Sequence, residues 1–392
     1  MKKNQFKVLA AALFISSAFT IQSCNNGDDP IPQPTPIGIA NNPNDFKGEV
    51  KSGETVTLDA TKVYKLTGAV AVRNGGKLVI PAGTRFEATG GTSSYITIEQ
   101  GGQIFANGTA SSPIVFTSPT ATPGSWGGLV ICGKAPMNKG VTATAEVGNA
   151  QYGGTDANDN SGILKHVRIE YAGAIYTADK EFNGLSLFAV GKGTTIDYVS
   201  MINGSDDGIE FFGGTVNVSN IVSVNNEDDA FDWTEGWNGT ATNIYAKRIN
   251  GNRGIEADNN SNDHNASPRS NPTIKNATFI GATTGTETDG MKLRVGTYGM
   301  MDNIVLSGWK TGINFENDAT VTYFNGGGKI TNVKFDNVTT ESSAKGNDPD
   351  GSGPLSGPTI PVLTNTYTVS ASATGAGNGT ATPTWATGWA GI

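Results

Sequence analysis

The chain has 392 residues, 36% hydrophobic and 16% charged, with 53 glycines and a formal net charge of −8. An acid excess with no basic run repels nucleic acid and anionic lipid, which excludes both as electrostatic partners. There are two cysteines, and only Cys132 lies in the body of the chain, so no internal disulfide is expected. High Gly with abundant Thr, Asn, Val and Ile suits an all-β chain rich in turns.

In chain order, residues 1–23 read as a signal peptide. Lys2, Lys3 and Lys7 give a basic start, and Val8 to Ile21 is mostly apolar. A membrane-spanning helix needs about 20 apolar residues, and this run is shorter and broken by Ser and Thr. Ile21-Gln22-Ser23-Cys24 resembles a bacterial lipobox, which implies lipidation at Cys24 and a membrane contact through the lipid only. Loss of residues 1–23 removes three lysines and no acids, so the mature charge is −8 − 3 = −11. Asn25 to Asp29 resembles the acidic export tag of surface lipoproteins in the Bacteroidetes. That resemblance implies an outer-membrane lipoprotein facing the cell exterior. Residues 24–44 carry five prolines between Pro30 and Pro43 and read as an extended tether.

Residues 45–340 are predicted to form a solenoid. Val56-Thr57-Leu58, Tyr64-Lys65-Leu66 and Val70-Ala71-Val72 alternate at the period of a strand. Gly75 to Gly83 is echoed 26 residues later by Gly101 to Gly108, with glycine pairs marking tight turns. Leu129 to Gly133 places Cys132 as a small buried apolar residue. Val141 to Ser161 is polar and reads as a lateral insert.

One pattern then recurs five times: Asp206 to Phe211, Asp228 to Trp233, Asn252 to Ala257, Thr288 to Leu293 and Lys310 to Phe315. The spacings are 22, 24, 36 and 22. The long interval holds a polar loop, Ser261 to Pro272. A period in the twenties, with short apolar runs and no helical periodicity, predicts a right-handed parallel β-helix, one coil per repeat. Ile209 and Phe211 would face the core, and Glu210 would face solvent. Glu210, Asp232, Glu256, Lys292 and Asn314 would then form one charged stripe on the outside. A second row, read as Asp197, Asn220, Asn243, Asn276 and Asn303, resembles the asparagine ladder of β-helices. On that alignment His166 matches Tyr198, Ile221, Ile244 and Ala277.

Several motifs in order, Ser111 to Ser118 (SSPIVFTS), Ser125 to Pro136 (SWGGLVICGKAP), Leu164 to Gly173 (LKHVRIEYAG) and Asp228 to Trp237 (DDAFDWTEGW), are similar to a family of β-helical lipoproteins from Bacteroidetes. The resemblance spans residues 65–335 and implies fold and location, with no catalytic residues. Past Val333 the repeat fades. Residues 341–392 are predicted to hold a mobile low-complexity stretch, Glu341 to Gly357, and a segment whose Trp385 and Trp389 pack on the solenoid or cap its end.

The candidate chemistry lies in the acids. Asp206, Asp207, Glu210, Asp228, Asp229, Asp232 and Glu256 fall on adjacent coils, where carboxylates repel. A Ca²⁺ ion, which takes six to eight oxygen ligands, would relieve that repulsion. The structural alternative is that the acids pair with turn amides and with Arg248, Arg253, Lys292 and Arg294. Lys292 and Arg294 stand as candidate proton acceptors of a Ca²⁺-assisted lyase, and paired carboxylates as those of a glycoside hydrolase. Against catalysis, the chain has no Asn-Thr-Asp and no Gly-His-Gly motif of the polygalacturonases. Trp237 is a candidate for stacking on a sugar ring, with packing against a coil as its other reading. No organic cofactor and no nucleic-acid site is expected. Three functions remain open for what is expected to be a monomer: non-catalytic binding of a glycan or other extracellular ligand, a lyase or hydrolase, or a structural partner of an outer-membrane receptor.

Overall fold

A computed structural model describes residues 38–248, 252–283, 285, 287–349 and 356–392. The signal peptide, Cys24 and most of the tether lie outside the described residues. Among the described residues no helix is long and apolar enough to cross a membrane.

The fold is a right-handed parallel β-helix. Each coil from residue 185 onward contributes a short and a long strand, and each strand pairs in parallel with its counterpart one coil on. The short strands are Leu185–Phe188, Ile209–Phe212, Phe231–Thr234, Ile255–Ala257, Asp289–Leu293 and Thr311–Glu316. The long ones begin at Thr195–Ile202 and continue through Asn217–Val224, Thr240–Lys247, Thr273–Ile280 and Met300–Ser307 to Ile330–Asp336. The two-residue side-chain period then sorts the sequence by face. Ile209, Phe231, Ile255, Met291 and Ile313 are register partners and fully buried. Phe211, Trp233, Ala257, Leu293 and Phe315 form the second inward column.

Each long strand bends at one residue with left-handed backbone: Tyr198 (φ 54°), Asn220 (55°), Asn243 (59°), Asn276 (56°), Asn303 (58°) and Asn332 (54°). Asparagine tolerates this region better than most residues. Its side chain then bonds along the stack. Asn243 Nδ2 donates to Asn220 Oδ1 (2.9 Å), Asn276 to Asn243 (3.1 Å) and Asn303 to Asn276 (2.9 Å). The ladder is shifted by one residue from the sequence reading at its start. Tyr198, not Asp197, is the counterpart of Asn220, because Asp197 pairs with Ser219. Asp197 still serves the ladder by accepting from Asn220 Nδ2 (2.8 Å). His166 correspondingly matches Tyr198 and the asparagines, not Ile221, Ile244 and Ala277.

In the earlier coils the echo of 26 residues is real register, since Lys77–Pro81 pairs with Gln103–Asn107. The second glycine of each pair is needed because backbone passes close by. A Cβ on Gly102 would sit 2.3 Å from the Val72 carbonyl oxygen.

The solenoid extends past the expected boundary at residue 340. Thr340–Asn347 stacks on Thr311–Glu316, so this part of the low-complexity stretch is ordered strand. Tyr367–Val369 pairs with the long strand Ile330–Asp336. The final segment does not cap the end. It returns along the side of the stack, placing Gly375 at Asn303, Ala376 at Thr278 and Trp389 at Tyr198. It covers the apolar outward residues Val222 and Tyr245, which explains why two tryptophans occur so late in the chain.

Candidate functional site

Parallel register writes three outward columns on the short-strand face. The first runs Asn183, Asp207, Asp229, Arg253 and Asp289, linked by backbone bonds at the corner before each strand. The second runs Ser186, Glu210, Asp232, Glu256, Lys292 and Asn314. The third includes Phe188, Phe212 and Thr234, then Asp258, Arg294 and Glu316 one residue beyond the paired positions. Coils rise by about 4.8 Å, so charged groups in one column are forced into contact range.

The stripe is not on an open surface, contrary to the sequence expectation for Glu210. An insert that follows Cys132 lays Met137, Val147 and Tyr152 over Phe188 and Phe212. Its Tyr152 hydroxyl donates to Glu235 Oε2 (2.7 Å), and Lys139 pairs with Glu235 Oε1 (2.9 Å). A hairpin of Ile175–Thr177 and Lys180–Glu181 packs Tyr176 against the same cluster. Glu210 and Asp232 therefore keep a narrow opening to solvent, while most of their surroundings are protein.

The basic residues on this face are consumed at one end. Arg253 Nη1 contacts Asp229 (3.2 Å) and Glu256 (2.6 Å), and its Nη2 contacts Glu287 (2.8 Å). Arg294 holds Glu256 and Asp258, each at 2.8 Å. Lys292 Nζ lies 3.9 Å from Glu316. Burial alone would lower the pKa of Arg253 and of Arg294, but their carboxylate partners outweigh it and raise both. Neither is poised to accept a proton. Arg248, buried behind the acids, spends its guanidinium on the carbonyls of Arg253 (3.1 Å) and Asn226 (2.5 Å).

At the other end five carboxylates have no ion-pair partner among the described residues: Asp206, Asp207, Glu210, Asp228 and Asp232. They form two overlapping triads, Asp206/Asp207/Asp228 and Asp207/Glu210/Asp232. Within each triad one oxygen per residue lies within 4.8 Å of the others. Turn and side-chain amides satisfy part of them. Asp207 Oδ1 accepts from the Asp229 N–H (2.8 Å), Glu210 Oε2 from Asn183 Nδ2 (2.7 Å), and Asp228 from the Asn252 amide. Asp232 Oδ1 is shut from solvent with no hydrogen-bond partner among the described residues. Loss of water first, then mutual repulsion, pushes Asp206 up to about 8 and Asp228 up to about 6. The same causes hold Asp207, Glu210 and Asp232 well above the usual carboxylate range. Glu256 rises to about 7 from burial and Asp229, even beside Arg294 and Arg253. The insert's Glu146 and the hairpin's Glu181 push Asp206 up further.

Residues 48–390 match the family described as "Pectate-lyase like beta helix domain". The chain belongs to that family. A search of curated proteins finds no match. Among solved structures, the chain is similar to PfbA, a surface adhesin of Streptococcus pneumoniae. That match has 12% identity over 80% of this chain and 90% of that one, with a TM-score of 0.24.

Within this β-helix, the predicted acids do converge, but in two classes. Asp229 and Glu256 belong to the Arg253 network, and the other five form the unpaired group. Of the two readings for Trp237, packing against a coil holds and stacking on a sugar ring does not. Trp237 is fully buried, stacks on Phe211 with ring centroids 3.9 Å apart, and donates its indole N–H to the Val216 carbonyl (3.1 Å). Glu235 and Gly236 have positive φ (54° and 90°), and this turn sends the following side chain into the core. Two contributors escaped the sequence reading. Asn183 opens a further copy of the repeat, Asn183 to Phe188, legible from its spacing of 24 to the copy at Asp207. Glu146 had no signal, because its position depends on how the insert folds back.

Proposed function

We propose that this chain is a lipid-anchored extracellular binding protein, whose acidic cluster takes Ca²⁺ and uses it to hold a glycan or another oxygen-rich ligand. The observation that carries this reading is the Asp207/Glu210/Asp232 triad with its unpartnered Asp232 oxygen. The donor set is hard oxygen throughout, from two strand residues, Glu210 and Asp232, and from Asp207 at the corner before the first of those strands. Irregular ligation of that kind suits Ca²⁺ better than Mg²⁺, which demands near-octahedral geometry. An ion there would offset repulsion that is otherwise met by retained protons. Hydroxyl or carboxylate groups of a saccharide would complete its oxygen shell.

The binding reading is favoured over a lyase that uses Arg294 as its base. Arg294 is committed to Glu256 and Asp258, and its pKa is raised, the opposite of what proton abstraction requires. The Cys24 anchor, the outward-facing outer-membrane location and a monomeric state belong to the same proposal, on the sequence features given above.

Calorimetry with Ca²⁺ and a glycan array read with and without Ca²⁺ test it. Saturable Ca²⁺ uptake, Ca²⁺-dependent saccharide binding and loss of both in Glu210→Gln/Asp232→Asn are expected. No heat of Ca²⁺ binding rejects the cation. Release of unsaturated uronate from an acidic polysaccharide, followed by ultraviolet absorbance, would replace the binding reading with the lyase.

A further inference from the structure

His166 occupies the bend position that later coils give to asparagine, with φ 48°. Instead of an amide ladder it makes an aromatic one. Its ring stacks on Tyr198 with centroids 4.4 Å apart and planes 10° apart. Trp389 stands edgewise to both rings, 5.6 Å from His166 and 5.7 Å from Tyr198. Trp389 is 1% exposed. Its indole donates to the Trp385 carbonyl (2.7 Å), and the Trp385 indole donates to the Ala376 carbonyl (2.8 Å). The far end of the returning segment is thus gathered on this histidine–tyrosine pair, with Ser200 Oγ donating to the Ala390 carbonyl (2.9 Å) beside it.

The imidazole has one polar neighbour in the backbone, Gly108. Its Nδ1 is buried with no partner among the described residues. The ring is half-buried, but a proton on Nδ1 would create a buried N–H with no acceptor, which is costly. The charged groups around it do not supply the missing partner. Lys165 on its own strand opposes a second positive charge. Asp197 on the next coil favours it but already accepts from Ser219 and Asn220. Arg168 on the same strand is paired with Glu170 at 2.8 Å. Residues 370–392 contain no ionisable side chain.

We propose that His166, Tyr198 and Trp389 form an acid-released latch holding segment 370–392 against the side of the solenoid. Release would uncover Tyr198, Val222 and Tyr245 as an apolar strip along three successive coils. Burial first, then Lys165, lowers the pKa of the latched histidine; release removes the part of that burial supplied by Trp389, so the pKa rises toward the free value of about 6.5. Protonation therefore favours the open form, and the latch weakens as pH falls below about 6.5.

Hydrogen exchange of segment 370–392 in the full chain, corrected for intrinsic rates, reads the opening directly. Protection should fall by up to about thirty-fold between pH 7.5 and 5, the factor set by a released pKa near 6.5. His166→Asn installs the residue used at the other bends and should make protection independent of pH. Trp389→Ala should leave the segment unprotected at both pH values. Equal protection of the native chain at both pH values overturns the latch, as does an unchanged pH response in His166→Asn. The His166 pKa, followed by NMR, gives a check that needs no histidine variant. It should lie below 6.5 in the native chain and rise in Trp389→Ala, and equal values in the two proteins would also overturn the proposal.

Discussion

Asp232 and Glu210 show how one column position can carry opposite consequences for stability and function. The positions just before them in their own strands, Ile209 and Phe231, are core. Truncating Ile209 to Ala should cost about 2–5 kcal/mol in urea melts, the usual range for a large buried aliphatic side chain. Glu210→Gln should cost nothing comparable without Ca²⁺, and equal losses at the two sites would contradict the inward and outward assignment. The acids also predict a pH dependence whose sign is fixed. Their folded pKa values are raised, so the stability linked to them is fully present below pH about 4. It is lost as pH rises through the folded values, about 6 for Asp228 and about 8 for Asp206. In chelator, the melting temperature should fall from pH 5 to pH 8.5. Millimolar Ca²⁺ should reverse most of the fall at pH 8, because a ligand bound only by the native state stabilises it. Glu210→Gln/Asp232→Asn should flatten the pH profile in chelator and remove the Ca²⁺ response. A profile that rises toward pH 8.5 in chelator would show that these carboxylates are ionised and compensated.

At the scale of elements, the long strands depend on the bend at each asparagine. Asn243 both donates to Asn220 and accepts from Asn276, and its φ of 59° is unfavourable for most side chains. Asn243→Gly keeps the backbone accessible but removes the ladder bonds on both sides. The neighbours then lose partners in a part-buried row, so a loss of about 1–3 kcal/mol is expected from urea unfolding. Asn243→Ala should lose more, because alanine adds the cost of left-handed backbone. If the glycine variant melts like the native chain, the ladder contributes nothing beyond conformational preference. The insert after Cys132 acts differently from the strands. It closes one side of the acid group through Tyr152 and Glu235 and brings Glu146 near, so it shapes the site without belonging to the repeat.

For the whole molecule, the outstanding prediction is attachment. The order of basic start, apolar run and lipobox predicts that Cys24→Ala moves the protein from the membrane fraction to the soluble one. Retention of the variant in the membrane with unchanged lipid labelling would refute the anchor. Protease treatment of intact cells should degrade the native protein if it faces outward. Protection in intact cells and digestion after lysis would place it on the periplasmic side.

The coil architecture was legible in the chain because a parallel β-helix is nearly one-dimensional: residues one repeat apart in sequence become neighbours in space. The spacing of 22 between Gly208 and Ala230 and the alternation through Ile209, Glu210 and Phe211 were sufficient to place Glu210 beside Asp232 and Ile209 beside Phe231. The charge row could be read for the same reason. What lies over that row could not. Glu146 and Tyr152 reach the row, and Trp389 reaches the long-strand side, from segments outside the repeat, and no period links them to their partners. The burial of Trp237 was hidden by a turn whose backbone sign depends on local geometry. The division of the acids into a paired and an unpaired group likewise required the tertiary structure, because it turns on which carboxylates Arg253 and Arg294 reach. Sequence determined which residues share a column. Only folding decided which of them are covered, which are neutralised and which remain available to a ligand, since those properties come from contacts between parts of the chain that share no repeat.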